Sequence, residues 1–483
     1  MRKAALHNLG CKVNAYETES MQQLLEKAGY EIVPFEEEAD VYVVNTCSVT
    51  NIADRKSRQM LHRAKKRNPG SVVVAAGCYV QTAKEQALTD AAVDILIGNN
   101  KKHQLPEMLE QFFAAREEDQ SREDEAVKEQ QQSSTCECAG GVKVGAAKEQ
   151  QSSIRERAGA LAVVDIAKEH EYEKLSVSRT TEHTRAFLKV QDGCNQFCSY
   201  CIIPYARGRV RSRAVSEVLQ EVERLAASGC REIVLTGIHL SSYGMDLGTD
   251  LLSLIQKVHE ISGIARIRLG SLEPKIVTEE FAQQLSKLPK LCPHFHLSLQ
   301  SGCDATLQRM NRKYTCEQYA QGCELLRRYF VHPAITTDVI VGFPGETEAE
   351  FETTRAFLKQ IGFFEIHIFK YSLRKGTRAA QMSQQVSEEV KHARSEQLFI
   401  DQAPREEAFL NWYLGKEVQV LLEEKVSFGE TEYLVGHTKE YVKAAVIASG
   451  ELCINPENKL ITGRVVSRLR EDVFLLEDVS EEK

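Results

Sequence analysis

The sequence lacks the features that mark secreted, membrane-spanning and disulfide-stapled proteins. No apolar stretch approaches the roughly 18 residues of a membrane span, and the first residues carry no apolar run typical of a signal peptide. Fourteen cysteines in 483 residues are too sparse for a small disulfide scaffold. We therefore expect a soluble, cytoplasmic protein with reduced thiols and no membrane partner.

An excess of positive charge is also missing. The chain has 61 lysines and arginines against 69 acidic residues, a net charge of −8. This excludes a global positive field that attracts nucleic acid, so RNA binding would depend on local basic patches. The length fits two or three domains, and a hydrophobic content of 42% supplies their cores.

What the sequence does contain is a run of three closely spaced cysteines, Cys194, Cys198 and Cys201, with the spacing Cys-x3-Cys-x2-Cys. Three thiolates on one tight loop can hold three irons of a cubane [4Fe–4S] cluster. No fourth cysteine follows closely, so one iron is left open to bind a small ligand. The alternative is a zinc knuckle or structural thiols, but zinc sites of this size use Cys-x2-4-Cys pairs and four ligands.

This loop resembles that of the radical S-adenosylmethionine (SAM) enzymes. The resemblance implies that the open iron chelates SAM and that the aromatic residue before the last cysteine, Tyr200, packs near the adenine. Strands and helices alternate from about residue 185 to 400, and six βα units fit the partial (β/α)6 barrel of that family. Chemistry in such barrels sits at the C-terminal strand ends, so we expect Gly237, Glu273 and Gln300 near SAM. Loop polarity or helix capping is the alternative for each.

A second set of cysteines lies near the N-terminus. The alternation of strand-like and helix-like segments over residues 1–114 predicts a parallel α/β sandwich. Cys11, Cys47 and Cys78 each follow a predicted strand, and the C-terminal ends of parallel strands share one edge of a sheet. Three buried structural cysteines are the alternative, but the equivalent positions favour a second [4Fe–4S] cluster with an open iron.

Two such clusters, together with the residues after Cys47, resemble the methylthiotransferases, radical SAM enzymes that insert a CH3–S group at an unactivated C–H bond. The resemblance covers the chain outside residues 115–181. The motif over residues 45–59 resembles the subgroup that modifies N6-threonylcarbamoyladenosine at position 37, beside the tRNA anticodon. The resemblance implies an enzyme whose cofactors are SAM and two [4Fe–4S] clusters and which replaces the hydrogen on C2 of the adenine by a methylthio group.

Other functions remain open at this point. The same chemistry on isopentenyladenosine in tRNA, or on a ribosomal protein side chain, is one alternative. A non-catalytic iron–sulfur RNA-binding redox sensor is another, although the open iron and the SAM motifs favour an enzyme. The expected partners are a tRNA anticodon stem-loop, a flavodoxin- or ferredoxin-like electron donor and a sulfur source, and we expect a monomer.

The composition and the resemblance together divide the chain into four expected segments. These are a methylthiotransferase domain (1–114), a low-complexity linker (115–181), a radical SAM domain (182–405) and a C-terminal domain (411–479). The linker is rich in Glu, Gln, Lys and Ser and contains a near-repeat of residues 126–134 at 146–153, which predicts a flexible, dispensable segment. Cys136 and Cys138 are interpreted as incidental, because the second copy has arginine at both positions.

Two basic tracts lie beside the predicted clusters and are candidates for contacts with RNA phosphates. Their residues are Arg55, Lys56 and Arg58 on a predicted helix, and Arg207, Arg209, Arg211 and Arg213 at alternating positions. Alternate residues of an extended chain point the same way. Solvated charge is the alternative for the helix.

The C-terminal domain resembles the TRAM domain, a small antiparallel, OB-like β-barrel that binds RNA. Residues 411–483 contain nine basic and fourteen acidic residues, so a stabilising β-domain is the alternative. RNA binding would use one face of the barrel, formed by Lys439, Tyr441, Lys443, Arg464, Arg468 and Arg470.

Overall fold

The computed structural model describes residues 1–132, 160–180, 184–448 and 457–481, without the side chains of 123–132. It contains two compact units. The first comprises Met1–Val177 and Ile202–Arg209, and the second comprises Ser178–Cys201 and Val210–Lys483. Cys136, Cys138 and Cys453 lie outside the described residues. Within these ranges, no helix has the length and apolar character needed to cross a membrane.

The first unit is built on a six-stranded parallel sheet in the order β2-β1-β3-β4-β5-β6. Its strands are β1 (Lys3–Asn8), β2 (Glu31–Ile32), β3 (Val41–Thr46), β4 (Val72–Gly77), β5 (Ile95–Ile97) and β6 (Leu161–Ala162). The parallel α/β sandwich is confirmed. The sequence did not indicate β2 and β6, because two residues are too few to show a strand period.

Helices cover both faces of this sheet. They are α1 (Lys12–Lys27), α2 (Asn51–Arg67), α3 (Cys78–Thr82), α4 (Lys84–Leu88), α5 (Leu105–Gln132) and α6 (Ile203–Arg207). Leu25 of α1 and Leu109 of α5 belong to the apolar core on one face, and Leu61 of α2 belongs to the core on the other. The sheet therefore carries its apolar side chains into two layers, as buried parallel strands do.

The predicted linker, residues 115–181, contains ordered elements of the first unit near both of its ends. Helix α5 continues through residue 114 without a break. After the segment outside the described residues, β6 adds to the sheet through the pair Leu96 and Leu161, and Leu175 and Val177 are buried. Composition alone did not reveal this because the returning apolar residues are few and widely spaced.

The second unit begins with six parallel strands that follow one another in chain order. They are β7 (Arg185–Asp192), β9 (Glu232–Gly237), β10 (Arg266–Leu269), β11 (His294–His296), β12 (Ala334–Val341) and β13 (Glu365–Lys370), with the short antiparallel strand β8 (Arg211–Ser212) beside β7. A parallel bridge between Leu272 and Leu297 links the β10 and β11 sides. Six βα units in this order confirm the predicted partial (β/α)6 arrangement.

The helices of this domain lie between consecutive strands. They are α7 (Val215–Ala227), α8 (Leu251–Glu260), α9 (Glu279–Ser286), α10 (Asp304–Arg309), α11 (Cys316–Tyr329), α12 (Glu348–Ile361) and α13 (Glu388–Asn411). Thr315 and Thr347 begin α11 and α12 with capping boxes, which satisfy backbone N–H groups at the helix start.

A closed five-stranded barrel forms the C-terminal part, in the order β14-β15-β16-β18-β17. Its strands are β14 (Glu417–Phe428), β15 (Thr431–His437), β16 (Lys443–Ile447), β17 (Leu460–Arg470) and β18 (Val473–Glu481). The small barrel is confirmed, with one difference: β16 and β18 pair in parallel, while the other pairs are antiparallel.

Two residues expected on an RNA-binding face of this barrel contact the preceding α/β domain of the same unit. The Tyr441 ring stacks on His437 at 4.4 Å between centroids, with the guanidinium of Arg268 4.8 Å from its centre. Lys439 donates to the carbonyl of Pro289 at 2.9 Å. Both side chains therefore have partners within the protein, but Tyr441 is still 38% exposed, and RNA contact by either residue stays a prediction.

Candidate functional site

The first unit brings three distant cysteines to one edge of its sheet. Cys11 follows β1 and caps α1, Cys47 follows β3, and Cys78 follows β4 as the first residue of α3. These strands are neighbours, so their ends converge as predicted. Gly10 has a φ of +114°, and a Cβ there would lie 3.1 Å from the Cys47 sulfur. Glycine at this position therefore keeps the approach between the two cysteines open.

A fully buried arginine, Arg207, lies against this cysteine set. Its Nε donates to the Cys78 sulfur at 3.3 Å, and its Nη2 donates to the Asn14 side chain at 2.6 Å and to Glu17 Oε2 at 3.0 Å. Glu17 also pairs with the buried Lys102 at 3.1 Å. The buried carboxylate is thus matched by two cations, as charges removed from water require.

The donor chemistry of this set fits an iron–sulfur cluster. Burial raises the pKa of the Cys47 thiol to about 11, against a hydrogen bond and the positive charge of Arg207, which lower it. A thiol in such surroundings ionises when a bound metal supplies the compensating charge. The Cys78 sulfur has a second N–H donor besides Arg207 Nε, because Asn99 Nδ2 lies 3.6 Å from it.

In the second unit, the predicted cluster loop leaves the end of β7 and is held by hydrogen bonds with residues at the end of α10. Gly193, with a φ of +72°, turns the chain out of the strand, and Phe197 adopts a φ of +50°. The amide of Asn311 donates to the Phe197 carbonyl at 2.9 Å, and Ser199 donates through its hydroxyl to the Arg309 carbonyl at 2.8 Å. The C-terminal end of α10 therefore holds the loop in its turn.

A second buried arginine, Arg312, serves this loop. Its Nη1 donates to the Cys198 sulfur at 3.3 Å and its Nη2 donates to Glu273 Oε1 at 2.6 Å. Burial alone would raise the pKa of Glu273, but His239, whose Nε2 lies 3.6 Å from Oε1, and the hydrogen-bonded Arg312 lower it below its usual value. The carboxylate is thus held ionised beside the arginine that faces the cysteine.

The thiols of the loop also have the chemistry that an iron–sulfur cluster needs. Burial raises the pKa of Cys194 to about 11, opposed by a backbone hydrogen bond from Gln196. That amide N lies 3.5 Å from the Cys194 sulfur. Backbone and arginine N–H groups directed at cysteine sulfurs stabilise cluster thiolates.

The residues predicted near SAM occupy different surroundings. Tyr200 is packed edge-on to Phe343, with ring centroids 6.4 Å apart. Gln300 is buried with a φ of +71°, and its backbone N–H donates to the Asp338 carbonyl at 2.8 Å. Gly237 lies against Gln191, where a Cβ would be 2.8 Å from the Gln191 side-chain oxygen. The close contact with Gln191 therefore explains the glycine at position 237 without any role in binding SAM.

The sequence did not reveal that two arginines, Arg207 and Arg312, face cysteine sulfurs, nor which polar side chains hold them. Arg312 lies in the connection between α10 and α11, which has no recognisable motif, and its partner Glu273 follows a different strand, β10. Arg207 was singled out, but for RNA. Only the tertiary fold joins Arg207 to Glu17, 190 residues away in the chain.

The two basic tracts differ in the structure. Arg55, Lys56 and Arg58 are exposed on α2, as predicted. In the second tract the RNA-binding prediction is wrong for three of four residues, which are buried in ion pairs, while Arg209 is exposed. The pairs are Arg207 with Glu17, Arg211 with Asp192 at 3.7 Å, and Arg213 with Glu221 at 2.6 Å.

The chain is similar to known proteins over nearly its full length. Residues 188–358 match the model of the Radical SAM superfamily, and residues 3–98 match that of the uncharacterized protein family UPF0004.

Three relatives define the similarity. The chain is 40% identical to the threonylcarbamoyladenosine tRNA methylthiotransferase MtaB of Bacillus subtilis (strain 168), over 92% of this chain and 90% of the relative. It is 38% identical to the protein of the same name from Aquifex aeolicus (strain VF5), over 88% and 93%. It is 35% identical to a tRNA-2-methylthio-N(6)-dimethylallyladenosine synthase of Caldicellulosiruptor saccharolyticus, over 80% and 75%. The chain therefore belongs to the radical SAM methylthiotransferases, enzymes whose cofactors are SAM and [4Fe–4S] clusters.

Proposed function

We propose that this enzyme converts N6-threonylcarbamoyladenosine at position 37 of tRNA into its 2-methylthio derivative. The observation that carries the proposal is the similarity to relatives named for that reaction, at 38–40% identity over about nine-tenths of the chain. The relative named for the dimethylallyl substrate is 35% identical over a smaller share. The anticodon loop offers unstacked bases, which single-strand RNA recognition requires.

The two cysteine sets would hold the clusters. Cys194, Cys198 and Cys201 would hold the cluster that binds SAM, and Cys11, Cys47 and Cys78 the auxiliary cluster. When bound, these groups supply reductive cleavage of SAM for hydrogen removal from C2 and the methylthio group for transfer. Three thiols in each set leave one iron for an exogenous ligand.

Two arginines of the chain would orient the cysteine ligands and balance the negative charge of their thiolates. Arg312 directs a charged N–H at Cys198 and is held by Glu273, and Arg207 does the same for Cys78 from its pair with Glu17. Such second-layer donors fix the orientation and charge of metal ligands. Tyr200, Gly237, Glu273 and Gln300 are proposed to line the SAM site.

The partners are proposed on the same basis. The substrate is the anticodon stem-loop of tRNA, contacted by the exposed residues Arg55, Lys56 and Arg58 of α2 and by Arg209. Reductive cleavage of SAM needs an external electron donor, which we expect to resemble flavodoxin or ferredoxin, and the auxiliary cluster needs a sulfur source. We further propose that the enzyme acts as a cytoplasmic monomer.

Mass spectrometry of nucleosides from bulk tRNA tests the proposal. A strain without the gene should lose 2-methylthio-N6-threonylcarbamoyladenosine and accumulate its unthiolated precursor. Complementation with the wild-type gene or with Cys316→Ala, a cysteine outside both sets, should restore the nucleoside, whereas Cys198→Ala should not. Loss of the isopentenyl derivative instead would assign the other tRNA substrate, and unchanged tRNA would overturn the proposal.

A further inference from the structure

Three side chains of metal-ligating types, none of them a cysteine, meet on neighbouring strands of the second unit. His296 lies on β11, Asp338 on β12 and His367 on β13. One ligand atom from each lies within 4.8 Å of the other two. Within the described residues, no other group of three His, Cys, Asp or Glu residues meets this distance.

The strand register puts this His–Asp–His group on one face of the sheet. Asp338 pairs directly with His367, and His296 pairs with Thr336, two residues before Asp338. Thr337 points the other way, toward α11, and its hydroxyl donates to the carbonyl of Leu297, which also accepts from the hydroxyl of Tyr319 on α11. Because successive side chains of a strand alternate between faces, Asp338 lies on the face opposite α11. The group therefore projects away from the helical layer.

The imidazoles are oriented as metal ligands usually are. The Nδ1 of His296 lies 3.0 Å from the Thr336 hydroxyl, and the Nδ1 of His367 lies 3.5 Å from Glu365 Oε1. A hydrogen bond at one ring nitrogen fixes the tautomer and leaves the other nitrogen free to ligate. In His296 this nitrogen is Nε2, which faces Asp338. In His367 the ion pair of Nδ1 with Glu365 likewise leaves Nε2 for a ligand.

The spacing within the group suits one small cation. His296 Nε2 lies 3.3 Å from Asp338 Oδ2. Two ligands, each 2.0–2.1 Å from a tetrahedral zinc ion, lie about 3.3 Å apart. The side chains of His296, Asp338 and His367 are 13%, 28% and 43% exposed, so a cation and a further ligand can reach them.

We propose that His296, Asp338 and His367 bind a zinc ion whose fourth coordination position is open. Two neutral imidazoles and one carboxylate leave the bound ion with a net charge of +1, and three protein ligands with one open position are typical of zinc sites that bind a substrate. The open position takes an anionic oxygen. If the proposed function holds, that oxygen belongs to the carboxylate of the threonylcarbamoyl group, which a dimethylallyl group lacks.

Zinc K-edge X-ray absorption of the holoenzyme tests the metal site. Protein with both clusters assembled is given one equivalent of zinc chloride and then dialysed. We expect one retained zinc with nitrogen and oxygen ligands at about 2.0–2.1 Å. His367→Gln and Asp338→Asn should each lower zinc retention at least tenfold, while His392→Gln, an exposed histidine on α13, should leave it unchanged. Far-UV circular dichroism checks that the variants are folded.

Several results would overturn the zinc site. These are no zinc retained by folded wild-type protein, zinc–sulfur distances near 2.3 Å, or equal retention in the wild type and His367→Gln. Any of them would leave the group as a hydrogen-bonded cluster of the sheet. None depends on whether tRNA is modified, so the metal site and the proposed function are tested separately.

The same spectrum tests the proposed ligand. An anticodon stem-loop carrying N6-threonylcarbamoyladenosine should add one oxygen to the zinc coordination, whereas the loop with unmodified adenosine should not. Identical spectra with the two RNAs would overturn the carboxylate assignment while leaving the zinc site. Nucleoside analysis of the same strain then reports the proposed function independently.

Discussion

The two cysteine sets reach the same chemistry by opposite routes. Cys194, Cys198 and Cys201 lie within eight residues of one another, and their loop is held by the end of α10. Cys11, Cys47 and Cys78 span 68 positions and meet only because three parallel strands end at one edge. Yet in each set one sulfur accepts a hydrogen bond at 3.3 Å from a buried arginine that pairs with a glutamate. A local motif and a sheet edge thus both place an arginine–glutamate pair against one cysteine sulfur.

The largest expected effect comes from removing one cysteine of each set. Cys198→Ala should abolish both 5′-deoxyadenosine formation and methylthiolation, because the loop then lacks a ligand for the cluster that binds SAM. Cys47→Ala should retain 5′-deoxyadenosine formation and lose methylthiolation. Each variant should contain about half the iron of the wild type, since one cubane of two is lost. Chromatography of the nucleosides and iron analysis provide the measurements, and methylthiolation by Cys47→Ala would contradict the assignment.

The arginines provide the next comparison. Arg207→Met removes a cation from Glu17, which is fully buried, and should lower the free energy of unfolding by about 3–5 kcal/mol, toward the lower value because Lys102 remains. Arg312→Met should lower the free energy of unfolding by about 2 kcal/mol, a smaller loss because His239 still faces Glu273. Urea unfolding measures both, with the exposed Arg328→Met as control. An equal or larger loss for Arg312→Met would reverse the comparison.

Glu232 extends the comparison to a glutamate that serves docking of the C-terminal barrel. Burial would raise its pKa, but Arg268, Arg185 and Arg266 lower it to about 2. A carboxylate with a depressed pKa contributes stability above its ordinary pKa and loses it as pH falls toward the lowered value. The wild type should therefore lose about 3 kcal/mol between pH 4.5 and 2 that Glu232→Gln does not lose. The free energy of unfolding of both proteins is measured as a function of pH. Equal slopes for the wild type and Glu232→Gln between pH 4.5 and 2 would contradict this prediction.

The smallest expected effect is on RNA binding by the exposed basic residues of α2, in contrast to the buried Arg207, Arg211 and Arg213. Arg58→Ala on α2 should weaken anticodon stem-loop binding and lower the slope of log affinity against log salt by about 1, because one phosphate contact is lost. Lys287→Ala, an exposed charge on the other unit, should leave the slope unchanged. Fluorescence anisotropy at several salt concentrations measures this. An unchanged slope for Arg58→Ala would remove α2 from the RNA-binding surface.

The sequence predicted what depends on short spacing and on strand ends. The loop cysteines follow from their spacing, and Cys11, Cys47 and Cys78 follow from their position after apolar runs, since parallel strands align their ends. The roles of Arg207 and Arg312 could not be predicted, because burial of a charge depends on a partner far along the chain. Alternation suggested that Arg207, Arg211 and Arg213 point to one surface, but only Arg211 lies in a strand, and carboxylates from three different elements pair with them.

The path of the chain between α5 and β6 has a consequence for the duplicated segment 126–153. Helix α5 leaves the first unit's sheet domain and β6 returns to its edge beside β5, so both ends of the intervening residues are anchored on the same body. The two anchored ends, α5 and β6, therefore belong to one body whatever the length of chain between them. Lengthening or trimming the chain within residues 133–159 should leave the edge that carries the three distant cysteines intact.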